Sequence, residues 1–146
     1  MIHEEICTYE VCKLAKEKGF NEKVYHYYQI INKHYCECQD RIEPYIFSFK
    51  LETDDCFTRY NKGSEDVISA PTQSLLQRWL REEKDIHISI NYQQGVDEQC
   101  PSYDYSVYRW PINTDAFASE EWKDGYSTYE LALEDALKYA LENCIV

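Results

Sequence analysis

APTQSLLQRWLREEKDIHISINY, residues 70–92, holds two periodicities back to back. Leu75, Leu76, Trp79 and Leu80 fall at i, i+1, i+4 and i+5, one face of a helix, while Gln77, Arg78, Arg81 and Glu82 point away from it. Ile86, Ile88, Ile90 and Tyr92 then alternate with His87, Ser89 and Asn91, the two-residue period of a half-buried strand. A helix over 71–84 running straight into a strand over 86–92 is therefore expected, and each apolar face needs a second layer to cover it.

Downstream, YDYSVYRW at 103–110 supplies a partner strand across a polar connection running from Gln93 to Ser102, which predicts an antiparallel hairpin with a long loop. Pro111 ends that strand. Residues 112–125 read as a polar, acidic excursion, with Trp122 expected to anchor it to the body. Ser127 followed by Glu130 reads as a capping box, opening a helix over 127–143 whose stripe is Leu133, Leu137, Ala140, Leu141 and Cys144.

Upstream, Thr8 suits the cap of a helix ending at Lys18, Gly19 stops it, and Phe20 fits the apolar contact that accompanies a glycine C-cap. Aromatic and β-branched residues predict strands near 24–31 and 45–51, the second following Pro44, whereas 52–69 has loop composition. The expected architecture is a single α+β domain over 1–146. In it, helices 8–18, 71–84 and 127–143 pack on one antiparallel sheet of about four strands.

Composition narrows the function classes. The chain has 146 residues, 44% hydrophobic and 15% aromatic with fourteen tyrosines, enough for a packed core without covalent staples. Its net charge is −12, and residues 74–146 carry 14 acids against 6 bases. Such a surface repels phosphate backbones, so direct nucleic-acid binding is disfavoured. No segment approaches the ~18 apolar residues of a membrane helix, and MIHEEICTYE has neither the basic nor the apolar region of a secretory leader. Seven cysteines without regular spacing fit reduced thiols, so a reducing cytoplasmic setting is expected.

His34, Cys36 and Cys38 would share a strand face, but the paired Cys-x-x-Cys spacing of structural zinc is missing, and ordinary reduced thiols are the preferred reading. Neither a metal nor a cofactor is expected: there is no Gly-rich dinucleotide motif, phosphate loop, metalloprotease helix or nucleophile elbow. No catalytic residue is therefore assigned. Arg78, Arg81 and Lys84 crowd the end of the central helix, where they complement its negative end or form a small anion patch. With Tyr108, Arg109 and Trp110 they are places in the acidic half where bases and aromatics lie close in sequence. Arg78, Arg81, Tyr108, Arg109 and Trp110 are accordingly the candidate ligand-binding set, a guanidinium taking an anion while a ring stacks.

Three segments, EVCKLAKEKGF, the 70–92 stretch and YSTYELALEDALKYALE, also carry a resemblance. In that order they resemble the small uncharacterised proteins of Bacteroidales phages and prophages, over about half of the chain. The resemblance implies a provenance and brings no catalytic residues with it. The first expectation is a non-enzymatic phage accessory protein that binds a host factor. A second is a sponge or inhibitor that sequesters a nucleotide signal of host defence, helped by homo-oligomerisation. A third is a small enzyme using a cysteine or paired carboxylates.

Overall fold

The computed structural model describes residues 3–33, 41–48, 67–94, 102–109 and 121–145. By the density of their internal contacts these fall into two compact units, Ile6–Thr72 and a second formed by Met1–Glu5 with Gln73–Val146. Both units are α+β, with antiparallel sheets.

The first unit opens with α1, Tyr9–Glu17. Thr8 is extended and its hydroxyl accepts from the Val11 N–H, while Val11, Cys12 and Ala15 form the buried stripe. At the other end the Gly19 N–H donates to Lys16 O and the Phe20 N–H to Ala15 O, the paired bonds of a Schellman motif. Gly19 takes φ +90°, a backbone state that side chains resist, and Phe20 is fully buried beyond it. Strands β1 (His26–Lys33), β2 (Arg41–Ser48) and β3 (Val67–Ser69) form a sheet in the order β2-β1-β3. Pro44, read from sequence as preceding a strand, sits inside β2 opposite Ile30. It is tolerated because β2 is an edge strand, where a missing N–H costs no ladder bond.

The second unit contains α2 (Gln73–Lys84), β4 (Ile86–Gln93), β5 (Ser102–Arg109), β6 (Glu121–Tyr126) and α3 (Tyr129–Tyr139). A five-residue π-helical turn, Ala140–Cys144, continues α3. The strands form a meander in the order β4-β5-β6. Asp85, at φ +54°, ends α2 in the left-handed state and turns the chain directly into β4; aspartate tolerates this better than a branched residue would. The N–H of Gln73 donates to Glu5 O at 2.9 Å, and Ser74 Oγ donates to Glu4 Oε1 at 2.8 Å, so the leading residues are tied to the first turn of α2.

Two expectations need correcting. Among the described residues the strands make two three-stranded sheets, not one sheet of about four; Val67–Ser69 and Glu121–Tyr126, where the sequence suggests loop and excursion, each complete a sheet. Three residues are too few to display a period, and β6 is polar throughout apart from its two aromatics. The cap of α3 is Thr128, not Ser127: Thr128 is extended and accepts from the Leu131 N–H at 3.2 Å. The long hairpin of β4 with β5 is as expected, and so is the stripe Leu133, Leu137, Ala140, Leu141 and Cys144, all buried.

Leu76, Trp79 and Leu80 from α2, Ile86 and Val107 from the sheet, and Leu133 and Leu137 from α3 make the core of this unit. Truncating such side chains removes transfer energy and leaves a cavity. Trp79→Ala and Leu137→Ala are each expected to cost roughly 2–5 kcal/mol by chemical denaturation. A loss below about 0.5 kcal/mol for either, the scale of surface sites, would break this packing scheme.

Candidate functional site

Cross-strand partners share a sheet face, so the β4–β5 register assigns every side chain. Ile86 lies opposite Arg109, Ile88 opposite Val107, Ile90 opposite Tyr105 and Tyr92 opposite Tyr103, which is the face that α3 covers. His87 lies opposite Tyr108, Ser89 opposite Ser106, and Asn91 opposite Asp104, on the other face.

This alternation divides the candidate set read from sequence. Arg109 is exposed on the α3 face, opposite Ile86, which follows Lys84 by two residues, while Arg78 lies further back on α2, beside the Gln77 that donates to Ile88 O. Tyr108 is half-buried on the opposite face, and neighbours in sequence are thus not neighbours in space. Trp110 lies outside the described residues. Arg78 Nε donates to Glu82 Oε1 at 2.9 Å, and Arg81 Nη2 stands 3.8 Å from the same oxygen. Lys84 Nζ sits 5.1 Å over the Trp79 ring. All three helix bases therefore have local company, of the modest strength that exposed pairs have.

A different constellation forms at the opposite end of the hairpin. Tyr92 and Tyr103 meet edge to face at 5.4 Å, and Tyr103 meets Tyr129, the first residue of α3, edge to face at 6.4 Å. The outer rings are open to solvent, Tyr92 at 61% and Tyr129 at 42% exposure. Edge-to-face packing of aromatic rings adds to area burial, so the strip is held in place although its outer surface is wet. The sequence displayed Tyr92 and Tyr103 as strand aromatics, but nothing local pointed to Tyr129.

Beside the strip, β6 carries a bulge. Tyr126 pairs with Tyr103 and Lys123 with Tyr105, so three steps on β6 match two on β5. Gly125 absorbs the extra residue at φ +88°. The bulge brings Lys123 and Tyr126 to the same face, where both meet Asp135 of α3. Lys123 Nζ donates to Asp135 Oδ2 at 2.9 Å, and the Tyr126 hydroxyl donates to the same oxygen. The Lys123 ammonium is raised by its bond to Asp135, and the Tyr126 hydroxyl is raised by partial burial and by the same carboxylate. Partial burial alone would raise the Asp135 carboxyl, but the bonds from Tyr126 and Lys123 outweigh it and hold it below the ordinary range.

On the polar face, Asp104 is only 2% exposed. Asn91 Nδ2 donates to its Oδ1 at 2.8 Å and Gln93 Nε2 to its Oδ2, so both oxygens of the buried carboxylate are satisfied from the edge strand. Trp122 falls on this face, opposite Ser106, and is 52% exposed; the expected anchor is instead a surface residue. Its strand neighbours Lys123 and Tyr126 do the anchoring.

His34, Cys36 and Cys38 lie outside the described residues. Among the described residues no group of three or more histidines, cysteines or acids could hold a metal, and no helix is long and apolar enough to cross a membrane. No family model, curated protein or solved structure matches the chain.

The Asp135 bonds have a pH signature. Because its folded carboxyl lies below the ordinary aspartate value, its contribution is complete above about pH 4 and is lost as pH falls through the lowered value. Asp135→Asn is expected to cost roughly 0.5–1 kcal/mol near neutrality, a low figure because water screens the pair, and to flatten the acid limb of stability. Urea denaturation between about pH 7 and pH 3 measures both effects, and an unchanged acid limb would count against this role.

Proposed function

We propose that the protein is a non-enzymatic accessory protein of a phage or prophage that binds a host protein in the bacterial cytoplasm, with the Tyr92–Tyr103–Tyr129 strip as its docking face. The provenance rests on the resemblance of the three segments quoted above. The docking face rests on one observation: two tyrosines held edge-on against a third, each open to solvent over much of its surface. Tyrosine combines a large apolar body with a hydroxyl and few rotatable bonds, so it offers contact area at low entropic cost. Aromatic residues of this kind dominate the energetics of protein interfaces.

Joint replacement of Tyr92 and Tyr129 by alanine removes no fully buried group and is expected to leave the fold intact. The variant should lose the partner that the intact protein captures from host lysate, as identified by mass spectrometry. Undiminished capture of that same partner by the folded double variant would remove the strip as the docking face.

A second reading assigns a nucleotide-like anion to the other end of the hairpin, where the exposed Arg109 lies opposite Ile86, two residues past Lys84. On this reading Arg81→Ala with Arg109→Ala leaves folding nearly unchanged. The same variant weakens binding of a cyclic or linear oligonucleotide second messenger by roughly 1–3 kcal/mol, the scale of charge-assisted hydrogen bonds. Calorimetry showing equal affinity for both proteins would reduce the cluster to a complement of the helix dipole.

A further inference from the structure

Resting on the docking reading above, we infer that the occupant of the tyrosine strip is an arginine-bearing peptide segment of the partner protein. The strip stands among exposed carboxylates of the second unit.

At the β4 start Arg81, Lys84 and Arg109 stand with the exposed acids Glu82, Glu83 and Asp85, so charge there is near balance. Tyr92 is six residues away along the strand, about 20 Å at ordinary strand rise. Around the strip carboxylates prevail. Glu130 follows Tyr129 in the first turn of α3 and is exposed. Gln73 Nε2 donates to Glu130 O at 3.1 Å, and the Gln73 N–H donates to Glu5 O at 2.9 Å, so the exposed Glu4 and Glu5 are tethered to the same region. Asp124, in the bulge just before the Tyr126 that faces Tyr103, is exposed as well. Lys123 is the nearby base, and its ammonium is held by Asp135.

The strip thus presents π-faces inside a local surplus of carboxylates. A guanidinium satisfies both features at once: its plane stacks on a tyrosine ring, and its five donors reach the surrounding acids. Lysine brings the charge without the stacking plane. An acidic or phosphorylated segment would meet repulsion from Glu4, Glu5, Asp124 and Glu130. The aromatic end of the hairpin therefore selects a cation.

The test uses the full chain and three fluorescent synthetic peptides of equal length, in which glycine and serine are interspersed with arginine, lysine or glutamate. Anisotropy titrations are run on the intact protein, on Tyr92→Ala with Tyr129→Ala, and on Arg81→Ala with Arg109→Ala. The arginine peptide is expected to bind more tightly than the lysine peptide, and the glutamate peptide not to bind. The tyrosine variant keeps the net charge, yet its affinity for the arginine peptide should fall about tenfold, as expected for losing two exposed cation–π contacts. The arginine variant should bind at least as tightly as the intact protein.

Equal affinity of the folded tyrosine variant, or no binding of the arginine peptide at all, would overturn the assignment. Preference for the glutamate peptide would overturn it too. If that preference were lost in the tyrosine variant, the docking face would survive while its cationic occupant would not. Ring resonances of Tyr92, Tyr103 and Tyr129 that stay unmoved on adding the arginine peptide would sink both.

Discussion

The second unit depends on the register in which Ile86–Gln93 lies against Ser102–Arg109. Side chains alternate with a period of two, so a slip of one residue would turn Ile86, Ile88 and Ile90 outward and drive His87, Ser89 and Asn91 into the helix layer. The register is fixed twice over. On one face it is fixed by the burial of Ile86 and Val107, and on the other by the buried Asp104 carboxylate, which finds its amide donors only with Asn91 and Gln93 where they stand. Leaving that carboxylate without partners would cost more than a lost neutral hydrogen bond, so the polar face opposes slippage as firmly as the apolar one. The edge strand is held from its outer side too: Gln77 of α2 donates its side-chain amide to Ile88 O at 3.1 Å, satisfying a carbonyl of β4.

The bulge at Gly125 is the second constraint, and it acts on what the register has set. With strict alternation Lys123 and Tyr126 would lie on opposite faces; the extra residue brings them to one oxygen of Asp135. Neither bond is strong by itself, because the lysine is largely exposed. Together they tie a polar strand to α3, which is covalently continuous with the Thr128 cap and with Tyr129. The position of Tyr129 over Tyr103 therefore follows from the cap, the bulge and the Asp135 bonds acting on one short stretch of chain.

How much of this was legible in the sequence depended on whether the signal was local. The three helices were readable because their stripes, caps and the Gly19 stop lie within a few residues of one another. The α3 cap was misplaced by one position because Ser127 and Thr128 are both good caps, and the backbone conformation of Thr128 decides between them. The strand Glu121–Tyr126 was hidden, since its inward residues are a lysine and a tyrosine three apart, which breaks the expected period. Trp122 was read as an anchor by residue type alone, whereas its alternation with Lys123 puts it on the polar face. Among the site residues, Tyr108 and Arg109 looked like a pair because they are adjacent, and a strand separates adjacent residues. The tyrosine strip needed the opposite inference, that residues 92, 103 and 129 meet, and only the register and the bulge supply it.

The layout of charge bears on how such a face would work. Attraction between an acidic end and a cationic segment reaches about 8 Å at physiological salt, whereas ring stacking acts only at contact. In the proposed complex the acids of the strip would govern encounter rate and salt dependence, and the tyrosines how long it lasts. A cationic segment would meet a surface that is negative overall, and would be held where the rings stand. Net charge alone would give an acidic protein many weak sites for a basic partner. Rings held against one another by the cap, the bulge and the Asp135 bonds would add contact at one of them.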